Sequence, residues 1–176
     1  MRAIAIFSLI LLAACENNAQ EYSLDYEPKT IIIKEEKSNP VTNAVKYINY
    51  SERENRAELR EFTGVDPVRT EWCAAFVNAV LNETDIDGSE TVSEYPLTAR
   101  SFLDWGYEVS KDDVQPGDIV VFPRGNQGWQ GHVGFYLRTI KLNGVDYYYI
   151  LGGNQSNKVS ISRYRASRAL GIRRQL

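Results

Sequence analysis

The periodicity of the apolar residues changes near Gly106, and this change constrains the fold more than any other feature of the sequence. Upstream, apolar residues recur with the three- and four-residue spacing of amphipathic helices. The segments predicted as helices are one beginning near Thr42, one from Ser51 to Gly64, 71–81 and 97–106. Downstream, segments rich in β-branched and aromatic residues are predicted as strands: 118–122, 132–140, 145–151 and 158–164. Helices followed by an antiparallel sheet indicate an α+β fold.

The turn between the second and third predicted strands is the most specific local signal. Residues 142–145 are Leu-Asn-Gly-Val, and Asn-Gly is the preferred centre of a two-residue type I′ hairpin, because both residues accept positive φ angles. Such a hairpin pairs Leu142 with Val145 and fixes the register of the two strands.

The first 14 residues have the features of a signal peptide. Arg2 precedes an apolar run over 3–12, which is too short to cross a bilayer. The sequence Leu-Ala-Ala-Cys at 12–15 resembles the lipobox of bacterial lipoproteins, and this resemblance implies cleavage before Cys15 and lipidation of that residue. The alternative is an ordinary secretory signal with an incidental cysteine. Both predict export. Because Glu16 rather than aspartate follows the cysteine, we expect anchoring to the outer membrane, facing the periplasm.

The rest of the chain divides into a tether and one domain. Residues 15–40 are polar, with a possible short edge strand over 30–33, and residues 41–176 have the length of a single domain. The net charge of −3 and the pI of about 5.3 argue against nucleic acid as a partner. We expect a monomer attached to the membrane through its N-terminal lipid.

Cys73 is the only thiol that remains when Cys15 is lipidated, so the mature domain is not expected to hold a disulfide. It lies near the start of a predicted helix, for which Thr70 is the predicted N-cap. There the free backbone N–H groups and the helix dipole stabilise a thiolate, and the Cys73 N–H can hold a developing oxyanion. The alternative is a small buried hydrophobic residue.

His132 is the only histidine in the chain, and it follows Gly131 at the start of a predicted strand. The sequence has no clustered metal ligands around it, so we predict neither a metal nor a cofactor. A serine hydrolase is not indicated either, since a GxSxG motif is absent from the sequence. The alternative to a catalytic base is a hydrogen-bonded structural histidine.

The imidazole of a Cys-His pair needs a third group that orients it through its other ring nitrogen. The hairpin register, continued without interruption, places Gln155 opposite His132. A one-residue shift, such as a β-bulge at Gly152-Gly153 produces, places Asn154 there instead. We therefore predict Asn154 as the third member and keep Gln155 as the alternative.

Three further side chains are candidates for binding substrate. Trp129 lies in the glycine-rich loop before His132, Trp72 precedes Cys73, and aromatic faces can line a groove for sugar or peptide. Arg100 can pair with a substrate carboxylate. For Trp72 the alternative is a place in the core, and for Arg100 it is a solvated or paired position.

Several segments, in this order, resemble the bacterial CHAP-like and NlpC-like cysteine peptidases: WCAAFVNAVL, TARSFLDWG, PGDIVVFPRG, GHVGFY and GGNQSNKVSI. The resemblance covers about residues 41–176 and implies a papain-like fold with helices packed on a C-terminal antiparallel sheet. It implies Cys73 as the nucleophile, His132 as the general base and then acid, and Asn154 as the orienting residue. The WCAAF context, in place of the DCSG of typical NlpC-like members, favours the CHAP-like branch. The upstream glutamine that supplies an oxyanion donor in papain has no counterpart in the sequence.

These inferences predict a lipid-anchored cysteine amidase or endopeptidase, a hydrolase of the cell envelope that cleaves an amide bond in peptidoglycan through an acyl-enzyme. One alternative is a non-catalytic envelope lipoprotein that binds the cell wall or a partner protein. An Asn154 side chain turned away from His132 would favour that alternative. A second alternative is a protein acyltransferase or deamidase on the same fold.

Overall fold

The computed structural model describes residues 39–175. Its α-helices are α1 (Pro40–Val45), α2 (Arg56–Thr63) and α3 (Cys73–Glu83). Its strands are β1 (Tyr107–Glu108), β2 (Ile119–Pro123), β3 (Gly131–Leu142), β4 (Val145–Gly152), β5 (Ser160–Arg165) and β6 (Gly171–Arg174). Short 3₁₀ helices cover Ser89–Thr91, Ala99–Leu103 and Ala166–Arg168. The predicted signal peptide, the lipidation at Cys15 and the possible strand at 30–33 lie outside the described residues.

The strands form one antiparallel sheet in the order β1-β6-β2-β3-β4-β5. The helices precede the sheet in the chain, which confirms the predicted α+β class. The four predicted strands are present, whereas β1 and β6 were not predicted because both are short and carry a mixed polar pattern. Among residues 39–175, no helix has the length and apolar character needed to cross a membrane.

The helix starts differ from the predictions. Asn39, and not Thr42, caps α1, and its side-chain oxygen accepts a hydrogen bond from the Val41 N–H at 2.9 Å. The Ser51 hydroxyl accepts a hydrogen bond from the Glu54 N–H at 3.1 Å, as a capping box requires. Residues 52–55 nevertheless form turns, and α2 begins only at Arg56.

The ends of the helical segments follow the glycines. Gly64 caps α2 with a φ angle of 72°, which confirms the predicted end of that helix. The segment 97–106 contains a five-residue 3₁₀ helix, Ala99–Leu103, where a longer helix was predicted. Gly106 ends it with a φ angle of 59°.

α3 packs against the sheet and is buried on nearly all sides. It contacts the face of the sheet that includes Ile119, Val121, Val133 and Phe135. Alternate residues of the same strands pack in a second cluster with Val120, Phe122, Tyr136 and Ile150. This alternation is the two-residue period of a strand whose two faces are both covered. The N-terminal end of α3 meets the beginning of β3, where the candidate residues lie.

Candidate active site

Cys73 is the first residue of α3, and it is 3% exposed. Trp72 is the N-cap residue rather than the predicted Thr70. Burial raises the pKa of the Cys73 thiol above its usual value, while the Arg124 charge and the backbone N–H groups of Val133 and Ala74 oppose that rise. The contact with the Val133 N–H places the thiol beside the residue that follows His132.

His132 is the second residue of β3 and is 1% exposed. Its Nε2 lies 3.3 Å from the Oε1 of Gln155, and its ring stacks on Tyr164 at 5.4 Å between centroids. Its buried Nδ1 has no hydrogen-bond partner within residues 39–175. Burial and, to a smaller extent, the Arg124 charge lower the pKa of His132 to about 3, against the opposing effect of the hydrogen bond with Gln155, so the ring is neutral at physiological pH.

The side-chain amide of Gln155 is fixed by its other partners. Its Oε1 accepts a hydrogen bond from the Tyr164 hydroxyl at 2.9 Å. Its Nε2 donates to backbone carbonyls, those of Ile150, Gly152 and Ser160. Because this network makes Oε1 the acceptor toward the imidazole, Nε2 of His132 carries the proton and Nδ1 has a free lone pair.

The side chain of Asn154 points away from His132. Its Nδ2 donates to the Oε2 of Glu71 at 2.7 Å. The residue in contact with the imidazole is therefore Gln155, the alternative, and not Asn154, the residue predicted from the sequence.

The register explains this correction. The hairpin pairs Leu142 with Val145 as predicted, and a one-residue shift occurs, but it lies in β3 between Tyr136 and Arg138 rather than at Gly152-Gly153. The shift alone would favour Asn154. However, β4 ends at Gly152, and Asn154 has a left-handed φ angle of 55°, so strand pairing no longer governs which side chain meets the imidazole.

Gly153 lets this turn approach α3 closely. A Cβ at this position would lie 2.6 Å from the Trp72 ring and 2.7 Å from the Phe76 Cβ, which leaves no space for a side chain. The turn after β4 is thus held against the first turn of α3. This contact brings residues 154 and 155 to the neighbourhood of Cys73.

Arg124 is a site residue that the sequence analysis missed. Its Nη2 donates to the Asn154 carbonyl at 3.2 Å, and its Nη1 forms an ion pair with Glu71 at 3.6 Å. Its charge also reaches Cys73 and His132, whose pKa values it lowers. Arg124 follows Phe122 by two residues, and Phe122 pairs with His132 across β2 and β3, so this position beside the imidazole becomes visible only in the folded sheet.

The predicted binding residues occupy different environments. Trp72 is completely buried, and its ring packs edge-on against Phe76 at 6.3 Å, so it belongs to the core and lines no groove. Trp129 is 64% exposed. Arg100 donates from Nε to the Gln130 carbonyl at 2.9 Å and so fixes the loop that carries Trp129.

Trp129 and Arg100 line one surface groove of about 500 Å³, together with Tyr95, Thr98 and Asp104 among others. Tyr95 is 70% exposed. A Cβ at Gly131 would lie 3.4 Å from the Arg100 side chain, so this side chain packs against the start of β3. The groove therefore adjoins the segment that leads into His132.

The arrangement is suited to nucleophilic chemistry. A thiol at a helix N-terminus, a neutral imidazole with an unpaired nitrogen and a fixed amide behind the ring are the parts that a cysteine hydrolase needs. Within residues 39–175, no group of three or more His, Cys, Asp or Glu side chains is arranged to hold a metal ion.

Comparison with protein families identifies the chain. The model of the CHAP domain matches residues 65–154, just over half of the chain. The chain belongs to the CHAP domain family. The matched segment contains Cys73, His132 and Asn154, and it ends one residue before Gln155. This membership confirms the resemblance to CHAP-like cysteine peptidases and relates the protein to peptidoglycan hydrolases.

Other comparisons add less. No curated protein matches the chain. Among solved structures, this CHAP protein is similar to a Staphylococcus aureus protein described as similar to lipoprotein, of the NLP/P60 family, with 18% identity and a TM-score of 0.48. The alignment covers 78% of this chain and 40% of that one, so the chain spans less than half of that relative.

Proposed function

We propose that this CHAP protein is a cysteine hydrolase that cleaves an amide bond in peptidoglycan, with Cys73 as nucleophile and His132 as general base and acid. One observation carries the proposal: Gln155 occupies the Nε2 side of the imidazole, which leaves the buried Nδ1 unpaired. The Cys73 thiol contacts the N–H of Val133, the residue after His132, and in the proposed reaction it passes its proton to this unpaired nitrogen of the neutral ring.

The reaction begins from a neutral pair. Burial raises the pKa of Cys73 and lowers that of His132, so both groups are uncharged before substrate binds. As the Cys73 sulfur attacks the carbonyl carbon, its proton moves to Nδ1 of His132. The tetrahedral intermediate places its oxyanion near the N–H groups at the start of α3.

The remaining steps return the enzyme to its starting state. The imidazolium of His132 donates its proton to the leaving amine as the C–N bond breaks, which leaves a thioester on Cys73. A water molecule then loses a proton to His132 and attacks the thioester carbonyl. The product is a carboxylic acid, and the proton returns to the sulfur.

We assign the positioning role to Gln155 rather than to Asn154. Its oxygen accepts the Nε2–H and stabilises the imidazolium that forms during attack. Asn154 is turned away, which was the arrangement expected of a non-catalytic lipoprotein. Gln155 supplies the contact that Asn154 does not make. His132 therefore keeps an orienting group, and the orientation of Asn154 does not favour the non-catalytic alternative.

The predicted location fits this substrate. Peptidoglycan lies outside the cytoplasmic membrane, and a signal peptide over 1–14 with lipid on Cys15 would hold the domain beside it in the envelope. A polar tether over 15–40 would let the domain reach the cell wall from the outer membrane.

The decisive experiment compares the protein with its Cys73→Ala variant on purified peptidoglycan. We expect soluble fragments from the wild type alone, and their masses identify the bond that is cut. Matching melting temperatures of the two proteins establish that the variant is folded. If both proteins, or neither, release fragments, the proposed function is wrong.

A further inference from the structure

A hydrogen bond from an amide and an ion pair with a guanidinium converge on one carboxylate oxygen beside the nucleophile. The Oε2 of Glu71 accepts from Asn154 Nδ2 at 2.7 Å and lies 3.6 Å from Arg124 Nη1. The donors come from the turn after β4 and from the residue after β2, and Glu71 precedes Cys73 by two positions. The arrangement is a two-donor cradle that holds an anion.

The two donor groups, Asn154 and Arg124, are held in place by the fold, whereas the Glu71 carboxylate between them is exposed. Asn154 is 8% exposed, and its own carbonyl accepts a second hydrogen bond from Arg124 at 3.2 Å. The guanidinium thus keeps its place without Glu71. The Glu71 side chain is 80% exposed. An ion pair this exposed contributes little to stability, so another carboxylate can replace it.

We propose that Arg124 and Asn154 form a binding site for a substrate carboxylate beside Cys73, and that Glu71 occupies this site while substrate is absent. A guanidinium matches a carboxylate through parallel N–H groups, and the Asn154 amide adds a further donor. The inference rests on the proposed function in one respect: it names the substrate class, an amide that carries a free carboxylate near the scissile bond.

The position of Arg124 gives the site a direct link to the reaction. Arg124 pairs with Glu71, two residues before Cys73, so an anion bound to it in place of Glu71 lies close to the start of α3, which carries the thiol. A peptide held there by its carboxylate would be anchored next to the sulfur. Such anchoring supplies orientation, which lowers the entropic barrier to attack.

The test uses alkylation of Cys73 and requires no knowledge of the natural substrate. Iodoacetate carries a carboxylate where iodoacetamide carries a carboxamide. Both alkylate the thiol through their CH₂ carbon, with loss of iodide and of the thiol proton. The rates are measured on the full chain, from the mass of the peptide that carries Cys73. The iodoacetate-to-iodoacetamide ratio is divided by the same ratio for free cysteine, which cancels differences in thiol pKa and access.

We expect this normalised ratio to exceed one in the wild type and to rise to roughly tenfold in Glu71→Gln, where the competing carboxylate is gone. Arg124→Gln should return the ratio to about one. Arg60→Gln removes an exposed charge on α2 and serves as the matched control, with the wild-type ratio. The pair 3-bromopropionate and 3-bromopropanamide repeats the comparison with a carboxylate one carbon further from the reacting atom.

Equal ratios in the wild type and Arg124→Gln, with both reagent pairs, would overturn the carboxylate site even if the protein hydrolyses peptidoglycan. A ratio that depends on Arg124 in a protein that releases no fragments would support the site and reject the proposed function. For a hydrolase, Arg124→Gln should raise KM more for carboxylate substrates than for their carboxamides.

Discussion

Two turns flank β4, and they differ in what determines their conformation. At the first, Asn143 and Gly144 have φ angles of 49° and 77° and form the two-residue loop that their identity predicts. At the second, positive φ angles occur at three non-glycine residues, Asn154, Ser156 and Asn157. Such angles are uncommon outside glycine, and three of them within four residues indicate a conformation that the surroundings impose.

The contacts of the two turns account for the difference. The 143–144 loop is exposed, and its conformation follows from its own residues. The second turn buries Asn154 and Gln155, whose side chains contact Glu71 and His132, both far away in the sequence, and Tyr164 on the neighbouring strand β5. The comparison teaches that a structural turn is determined locally, whereas the turn that completes the site is determined by the assembled fold.

The largest effect is expected from Gln155→Leu in the second turn. This change leaves His132 without its orienting acceptor, and we expect hydrolysis to fall by at least about 100-fold. It also leaves the Tyr164 hydroxyl and buried carbonyls unpaired, at a cost of roughly 3 kcal/mol in the free energy of unfolding. Hydrolysis of peptidoglycan and chemical denaturation measure the two effects.

A spectroscopic readout separates positioning from stability. His132 is the only histidine in the chain, so its imidazole gives unambiguous NMR signals. We expect a protected Nε2–H signal in the wild type and its loss in Gln155→Leu. If the signal persists in that variant and disappears when Asn154 is changed, the assignment of the two residues is reversed.

The second effect concerns the pH dependence of stability. The pKa of His132 falls from 6.5 in the unfolded chain to about 3 in the folded protein, so between these values the unfolded state binds a proton that the native state does not. Lowering the pH from 6.5 to 4.5 should therefore reduce the free energy of unfolding by roughly 2 kcal/mol. Urea denaturation at several pH values measures the change.

The control is His132→Gln, which removes the titrating group. Its stability should vary less than that of the wild type between pH 6.5 and 4.5. A wild-type stability that is constant over this range would mean that the imidazole is accessible to protons in the native state, contrary to its burial.

The third prediction concerns the first turn. In Gly144→Ala, the new Cβ would have no atom within 4 Å among residues 39–175 other than Gly144 and its two chain neighbours, so the change adds only the strain of a positive φ angle. We expect a loss of about 1 kcal/mol in the free energy of unfolding and no change in hydrolysis. A loss of activity at unchanged stability would show that the hairpin and the site are coupled. That result would contradict the conclusion that the two turns are determined independently.

The same distinction explains how far the sequence was informative. Periodicity and the Asn-Gly pair predicted the α+β class, the central strands and the hairpin, because these features depend on neighbouring residues. The WC and GHVGF segments pointed to Cys73 and His132. The choice between Asn154 and Gln155 depended on where a bulge lies and where β4 ends. Arg124 and Glu71 become neighbours only when β2 and the start of α3 are assembled.

The smallest effect, and the sharpest test of the comparison, is expected from Asn154→Gly. Glycine accepts the left-handed φ angle of 55°, so this change removes the side chain without straining the turn. The lost hydrogen bond is to an exposed carboxylate, and we expect stability to change by less than about 1 kcal/mol. Alkylation of Cys73 by iodoacetate should slow a few-fold relative to iodoacetamide, because one of the two donors of the cradle is gone.

In this variant, the Nε2–H signal of His132 should keep its chemical shift, because Gln155 and not Asn154 holds the ring. Asn157→Gly is the matched control, since it relaxes another positive φ angle in the same turn, at an exposed position. Both variants should then leave the imidazole unchanged, and only Asn154→Gly should alter the alkylation ratio. A shifted imidazole signal in Asn154→Gly alone would mean that Asn154 holds Gln155 in place, so that the orienting and anion-binding residues of the second turn act as one unit.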